Sequence, residues 1–453
     1  RAPKLAILPI DGGRYGTPEM TRIFGEQARV DCQLRVEGAV ARAQGRIGMI
    51  PRGAAASIRR AAASGRVTAA RIKKLEERSG HDTAALVEAL SMACPAPARP
   101  WIHYGLTSAD LVDTATSMQM RDALAVITGR ISRLGLALAD IAERYAAVPA
   151  VGRTHGQHAS IVPFGLRFAN WATECAAHVE RMAQMGRRSL VCKTLGVVGT
   201  GSLMGAAAPR VQSLAAAELG LSPADAATQV VPRERHAEYV FCLALAGSTL
   251  ERIATEVRNL QRTEIAEVSE RFARGQMGSS AVPVKRNPIK SERVTSLSRL
   301  LRAQVQVSLE NVPLWHERDL SNSANERFTI PTASILLDDM ANTMAAVVAG
   351  MGIHDGRIAS NIWATGGQIF AEFVLEAMIK RGVPRMEAYR DVQRVAFEAS
   401  RSGTAFADAL AADAAFAGLG RAGISRIFRP GAHLGAGPAL ARSACRRARR
   451  ALS

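Results

Sequence analysis

An all-α fold is the class this sequence predicts, on three observations. Apolar residues make up 48% of the 453 and aromatic ones only 5%, with alanine and leucine prominent, which favours helix bundles over sheets. Long proline-free stretches carry apolar residues at alternating spacings of three and four, the mark of a bundle seam. No strand-like alternation competes with them.

Taken in order, the segments before residue 100 are short and punctuated by Pro51, Gly53, Gly65 and Gly80, then by Pro95, Pro97 and Pro100. That predicts an N-terminal helical domain over 1–100. From Ala109 to Ala146 there is no proline, and Leu124, Ile127, Ile131, Leu134, Leu138 and Ile141 form the seam of one long helix. Leu243, Leu250, Ile253, Val257 and Leu260 repeat it in a second, so 101–354 reads as a central long-helix bundle. Past Gly350-Met-Gly352 the helices shorten, predicting a small C-terminal helical domain over 355–453 with a basic tail.

Composition excludes several classes. The longest apolar stretch, near Met344 to Ile353, is broken by glycine and falls short of the roughly 20 residues a membrane span needs. The start Arg1-Ala-Pro-Lys-Leu-Ala-Ile-Leu-Pro9 is basic, then apolar over too short a run for a signal peptide, so a soluble cytoplasmic protein is expected. The six cysteines are scattered, which argues against a zinc site or a disulfide framework. Much of the +18 charge is C-terminal, because eight arginines from Arg421 to Arg450 follow the last acid, Asp413. A solvated tail is the plain reading, and nucleic-acid binding by that basic end the alternative.

The chemistry concentrates in a few segments. Gly278-Ser-Ser-Ala-Val-Pro-Val-Lys-Arg-Asn-Pro288 joins glycine, paired hydroxyls, a cation and an amide, as an anion-handling loop would, and its prolines bound a mobile lid. Arg153-Thr-His-Gly-Gln-His158 stands at what looks like the start of another helix. Imidazole titrates near neutrality, so His155 or His158 can donate a proton; either can equally be a structural histidine. In Gly80-His-Asp82, Asp82 is placed to cap a helix while His81 faces outward. Thr107 and Ser108 open the long helix, where they either present hydroxyls and N–H groups to an anion or simply cap. Arg318 and Arg327, in Trp315 to Arg327, either grip a dianion or line an exposed, salt-bridged connection. No nucleotide phosphate loop or dinucleotide fingerprint is present, and nothing calls for a metal or cofactor.

The loop order Gly-Ser-Ser-x-x-Pro-x-Lys-x-Asn-Pro resembles the signature of the aspartase/fumarase lyase superfamily. Arg14-Tyr15, Gly80-His-Asp82, His103 to Ser108, Arg153 to His158, Gln229 with Arg233 to His236, the loop, and Glu317 to Arg327 are similar, in order, to the motif series of the adenylosuccinate lyase family. The resemblance implies a three-domain fumarase/aspartase-like fold with a long central helical bundle, a homotetramer whose sites draw on three subunits, and cofactor-independent β-elimination of fumarate from a nucleotide. It further implies Ser279 as general base, His155 as proton donor and Glu292 as its supporting carboxylate. Lys285, Asn287, Thr107, Ser108 and Ser280 would hold the succinyl carboxylates and the carbanion-like intermediate. Arg14, Tyr15, His81, Asp82, Gln229, Arg318, Ser323 and Arg327 would position the nucleotide. Val284 stands where the family usually has histidine, Gly80 replaces a polar residue, Glu234 a shorter aspartate, and Ala324 one serine of a pair. An argininosuccinate lyase-like or cycloisomerase relative and a catalytically silent helical bundle are the alternative expectations.

Overall fold

The computed structural model describes residues 8–273 and 275–453. The segment from Arg1 to Ile7, and Arg274 in the lead-in to the glycine loop, lie outside the described residues. The fold is all-α, with strands confined to short two-stranded pairings. Its long helices are Ser108–Arg144, Phe164–Ser189, Glu234–Leu260, Ile289–Glu310 and Ser323–Ala349. The seam residues Ile127, Ile131, Leu134 and Leu138 are buried, as are Leu243, Leu250, Ile253 and Val257. No helix among the described residues is long and apolar enough to cross a membrane.

The chain forms two compact units, each drawn from three stretches. One comprises Arg1–Arg130, His178–Leu250 and Thr295–Asn342. Its core joins helices Glu26–Arg46, Arg52–Ala62, Asp82–Ala93 and Ala208–Leu219 through Leu34, Ile58, Leu86, Leu90 and Val211. The other comprises Ile131–Ala177, Glu251–Val294 and Thr343–Ser453. There Val374, Phe406, Leu410 and Phe416 form one cluster, and Val151, Ile161, Ile369 and Phe370 another.

Three local expectations are corrected. Residues 149–163 are not a helix start but an antiparallel hairpin, Pro149–Thr154 with Gln157–Pro163, and the following helix begins at Phe164. Its two-residue turn is His155-Gly156, both at positive φ (+53° and +75°), which matches the twist of a tight hairpin. Asp82 is not the cap of its helix. His81 occupies that position, with Nδ1 accepting from the Ala84 N–H at 3.3 Å, while its ring stays exposed. The basic end is not a loose tail. Helix Gly437–Leu452 buries Ala441, Cys445, Ala448 and Leu452, and Arg449 pairs with Asp140 and Glu143. The six cysteines are buried free thiols, and burial pushes Cys175 and Cys192 up to about 12.

Candidate active site

In the first unit, the candidate site rests on buried charge. Asp110 and Asp113 lie one helical turn apart near the start of helix Ser108–Arg144. Asp110 returns a carboxylate oxygen to the Thr107 N–H at 2.8 Å, half of a capping box. It also pairs with fully buried Lys193 at 2.6 Å, whose Nζ donates to the carbonyls of Gly196 and Gln229. Asp113 receives a two-pronged bond from Arg233, both prongs 2.9 Å, and Arg233 Nε lies 3.1 Å from Glu326. Burial alone would raise Asp113, but the charge and bonds of Arg233 outweigh it and hold the carboxyl below its ordinary value. Removing one partner of such a pair strands the other in a dry interior.

Above this network opens a cavity of about 130 Å³ lined by Arg29, Arg233, Arg318, Ser323, Glu326 and Arg327, among others. Asp82 accepts from Arg327 at 2.8 Å and lies 3.6 Å from Arg29. Burial works to raise Asp82, and these two arginines with the Thr83 N–H bring it below its ordinary value. Arg318 donates to the Gln229 amide oxygen at 2.8 Å, a neutral partner that orients the guanidinium without cancelling its charge, which stays available to an anion. Asp82, Gln229, Arg318, Ser323 and Arg327 are therefore brought together. His81, Thr107 and Ser108 line a neighbouring hollow of about 550 Å³ with His103. His103 Nδ1 stands 2.6 Å from buried Glu37; burial lowers the imidazole, yet that carboxylate raises it overall and favours its charged form. Arg14 and Tyr15 are not brought to the cavity. The backbone next to them is tied to Asp338 and Asp339 through Thr17 and Gly16, some 11 residues or roughly 17 Å along the helix from Arg327.

In the second unit the chemistry sits on exposed tips. His155 caps the hairpin turn and is exposed, whereas His158 faces inward, its Nδ1 buried without a partner among the described residues. Burial, then the nearby Arg153 charge, lowers His158 and favours its neutral form. Arg153 bonds buried Glu267 at 2.7 Å, and Asn361 donates to the same oxygen, which fixes the hairpin base.

The signature loop is tied at both ends. A Cβ on Gly278 would lie 2.0 Å from the Lys285 carbonyl oxygen, so only glycine fits there, and Asn287 Nδ2 donates to the Gly278 carbonyl at 3.0 Å. Ser279 Oγ accepts from the N–H groups of Ala281 (3.3 Å) and Val282 (3.1 Å). Two donors on one hydroxyl oxygen favour its deprotonated form. Ser280 and Lys285 are exposed. Glu270 accepts from Lys290 N–H, Ser291 N–H and Ser291 Oγ, anchoring the start of helix Ile289–Glu310. Glu292 is exposed in that first turn, and no hydrogen bond or ion pair joins it to His155 among the described residues.

Arg29, Asp113, Lys193, Arg233 and Glu326 escaped sequence reasoning as site residues. Arg233 and Glu326 stood inside the quoted motif segments without a role of their own, and the Thr107-x-x-Asp110 capping spacing announces an acid at the head of the long helix.

Comparisons with known proteins agree along the chain. The family described as Lyase matches residues 13–302, and the family described as Adenylosuccinate lyase C-terminus matches 367–444. The adenylosuccinate lyase of Methanothermobacter thermautotrophicus is 40% identical over 405 residues, covering 89% of this chain and 90% of that one. That of Thermotoga maritima is 41% identical over 400 residues, covering 88% and 91%. Among solved structures, a fumarate lyase from Mesorhizobium sp. BNC1 superposes with a TM-score of 0.88 at 29% identity, covering 95% of this chain and 98% of that one. A 3-carboxy-cis,cis-muconate lactonizing enzyme from Pseudomonas putida does so at 0.89 and 26%, covering 98% and 100%.

Proposed function

The chain belongs to the adenylosuccinate lyase family, and on that premise we propose that it eliminates fumarate from adenylosuccinate, leaving AMP, and from succinylated aminoimidazole carboxamide ribotide, leaving the carboxamide ribotide. The observation that carries the reading is Ser279, whose Oγ accepts two backbone N–H bonds inside the signature loop. A hydroxyl is a poor base until its alkoxide is stabilised, and those donors supply part of that stabilisation.

In this reading Ser279 takes the proton from the carbon beside a succinyl carboxylate. The electron pair left behind forms the fumarate double bond as the C–N bond breaks, and His155, supported by Glu292, protonates the departing nitrogen. Lys285, Asn287, Ser280, Thr107 and Ser108 hold the carboxylates and the carbanion-like intermediate. Arg318, Ser323 and Arg327, with Asp82, His81 and Gln229, receive the nucleotide, and Arg14 and Tyr15 complete its site from another subunit. The distance of Arg14 from Arg327 along one chain supports a homotetramer with shared sites.

The test is to incubate the purified protein with adenylosuccinate, follow the ultraviolet spectrum and quantify fumarate. AMP and fumarate in equal amounts are expected, despite Val284. Silence towards adenylosuccinate with turnover of argininosuccinate would overturn the assignment.

A further inference from the structure

The helical hairpin formed by Glu26–Arg46 and Arg52–Ala62 carries a hollow that the lyase reaction does not use. Its volume is about 370 Å³, at the low end of the range for small-ligand sites. Gly45, Ala55 and Ala56 make the floor, and the remaining lining residues are Arg42, Arg46, Arg52 and Arg59. The floor is low because the helices touch: a Cβ on Gly45 would lie 2.6 Å from that of Ala55.

The charge balance is one-sided. Helix Arg52–Ala62 contains no acid, and Glu218, from helix Ala208–Leu219, is shared by Arg42 at 3.3 Å and Arg59 at 3.6 Å. It holds those two guanidiniums on the rim. Arg46 and Arg52 have no carboxylate partner among the described residues. Like charges converging on one concavity repel, and a multiply charged anion removes that repulsion. Guanidinium forks match phosphate oxygens in pairs, whereas a single carboxylate would leave most of these donors unused.

We propose that this hollow binds a polyphosphate chain, either free or as the tail of a nucleotide, as a second anion site separate from the Arg318–Arg327 cavity. The probe is tripolyphosphate, titrated calorimetrically into the whole protein at low salt. Expected is saturable binding, one per chain, that weakens as salt rises and weakens at least tenfold in Arg46→Ala/Arg52→Ala, while that variant keeps wild-type lyase turnover. Arg318→Ala should leave tripolyphosphate binding intact. ATP binding as tightly as tripolyphosphate identifies the bare chain as the ligand, ATP binding much more tightly identifies a nucleotide, and either supports the site. Should the double alanine variant fold poorly, Arg46→Lys/Arg52→Lys keeps the charge but loses the forks and should still weaken binding severalfold. Absence of saturable binding, affinity unchanged in both double variants, its loss in Arg318→Ala, or equal binding of adenosine would each overturn the proposal.

Discussion

The cavity walls of the first unit and the loop and hairpin tip of the second are built on opposite principles. Asp113, Arg233 and Lys193 are buried and bonded several times over, and Arg318 and Arg327 stand on that frame with partners of their own. His155, Ser280 and Lys285 are exposed, and Ser279 is held by backbone N–H groups of its own loop. Groups that recognise a fixed anion gain from rigidity. Groups that move protons must approach the substrate, and an exposed loop or turn can do so at little cost to the core.

The contrast can be broken at either end. Ser279→Ala should lower kcat by about a thousandfold or more, within the range for losing a general base, while leaving the melting temperature unchanged; stopped-flow fumarate release and a thermal scan check both halves. Asp113→Ala should do the reverse first, costing about 3–5 kcal/mol of stability because buried Arg233 loses its two-pronged partner and keeps only Glu326. Urea unfolding reads that loss, and a stable variant would show the network to be dispensable. Arg327→Ala should sit between, raising KM by about tenfold to a hundredfold, the value of a lost charged hydrogen bond, and freeing Asp82 to titrate higher.

These expectations mark what was legible in the chain. The bundle seam from Ile127 to Leu138 was readable because its period survives burial on one side. The 149–163 hairpin was not, since Ala150 and Val151 are both buried and the strand shows no alternation, while its turn is His-Gly rather than the Asn-Gly that announces such turns. The charged frame was hidden for another reason. A lysine or arginine in sequence reads as surface, and only the fold reveals that Lys193 is fully buried against Asp110. Motif residues such as Arg318 and Arg327 were recognisable, but Arg29, in the first turn of helix Glu26–Arg46 and without special spacing, was not.

The smallest predicted effect isolates His158 by pH. His158 is held below its ordinary value, so it contributes stability above about pH 6.5 that is lost as pH falls through its lowered value. Asp82, Asp113 and Glu326 are also lowered, but from carboxylate values, so their contribution persists until the pH falls below about 4. Because His103 is raised and adds stability as pH falls, the variants are compared: from pH 7 to 5 denaturant midpoints should fall more, or rise less, in the wild type than in His158→Gln, and equal slopes would remove His158 from the account.

The most direct test of this division of labour mixes two impaired proteins. Ser279→Ala lacks the base and Arg327→Ala has a damaged anion site. If subunits exchange binding and chemical groups within a symmetric tetramer, co-refolding equal amounts should regenerate roughly a quarter of native sites and measurable fumarate release from adenylosuccinate at low substrate. A mixture no more active than the sum of its parts, in particles shown to be mixed tetramers, would contradict the shared site.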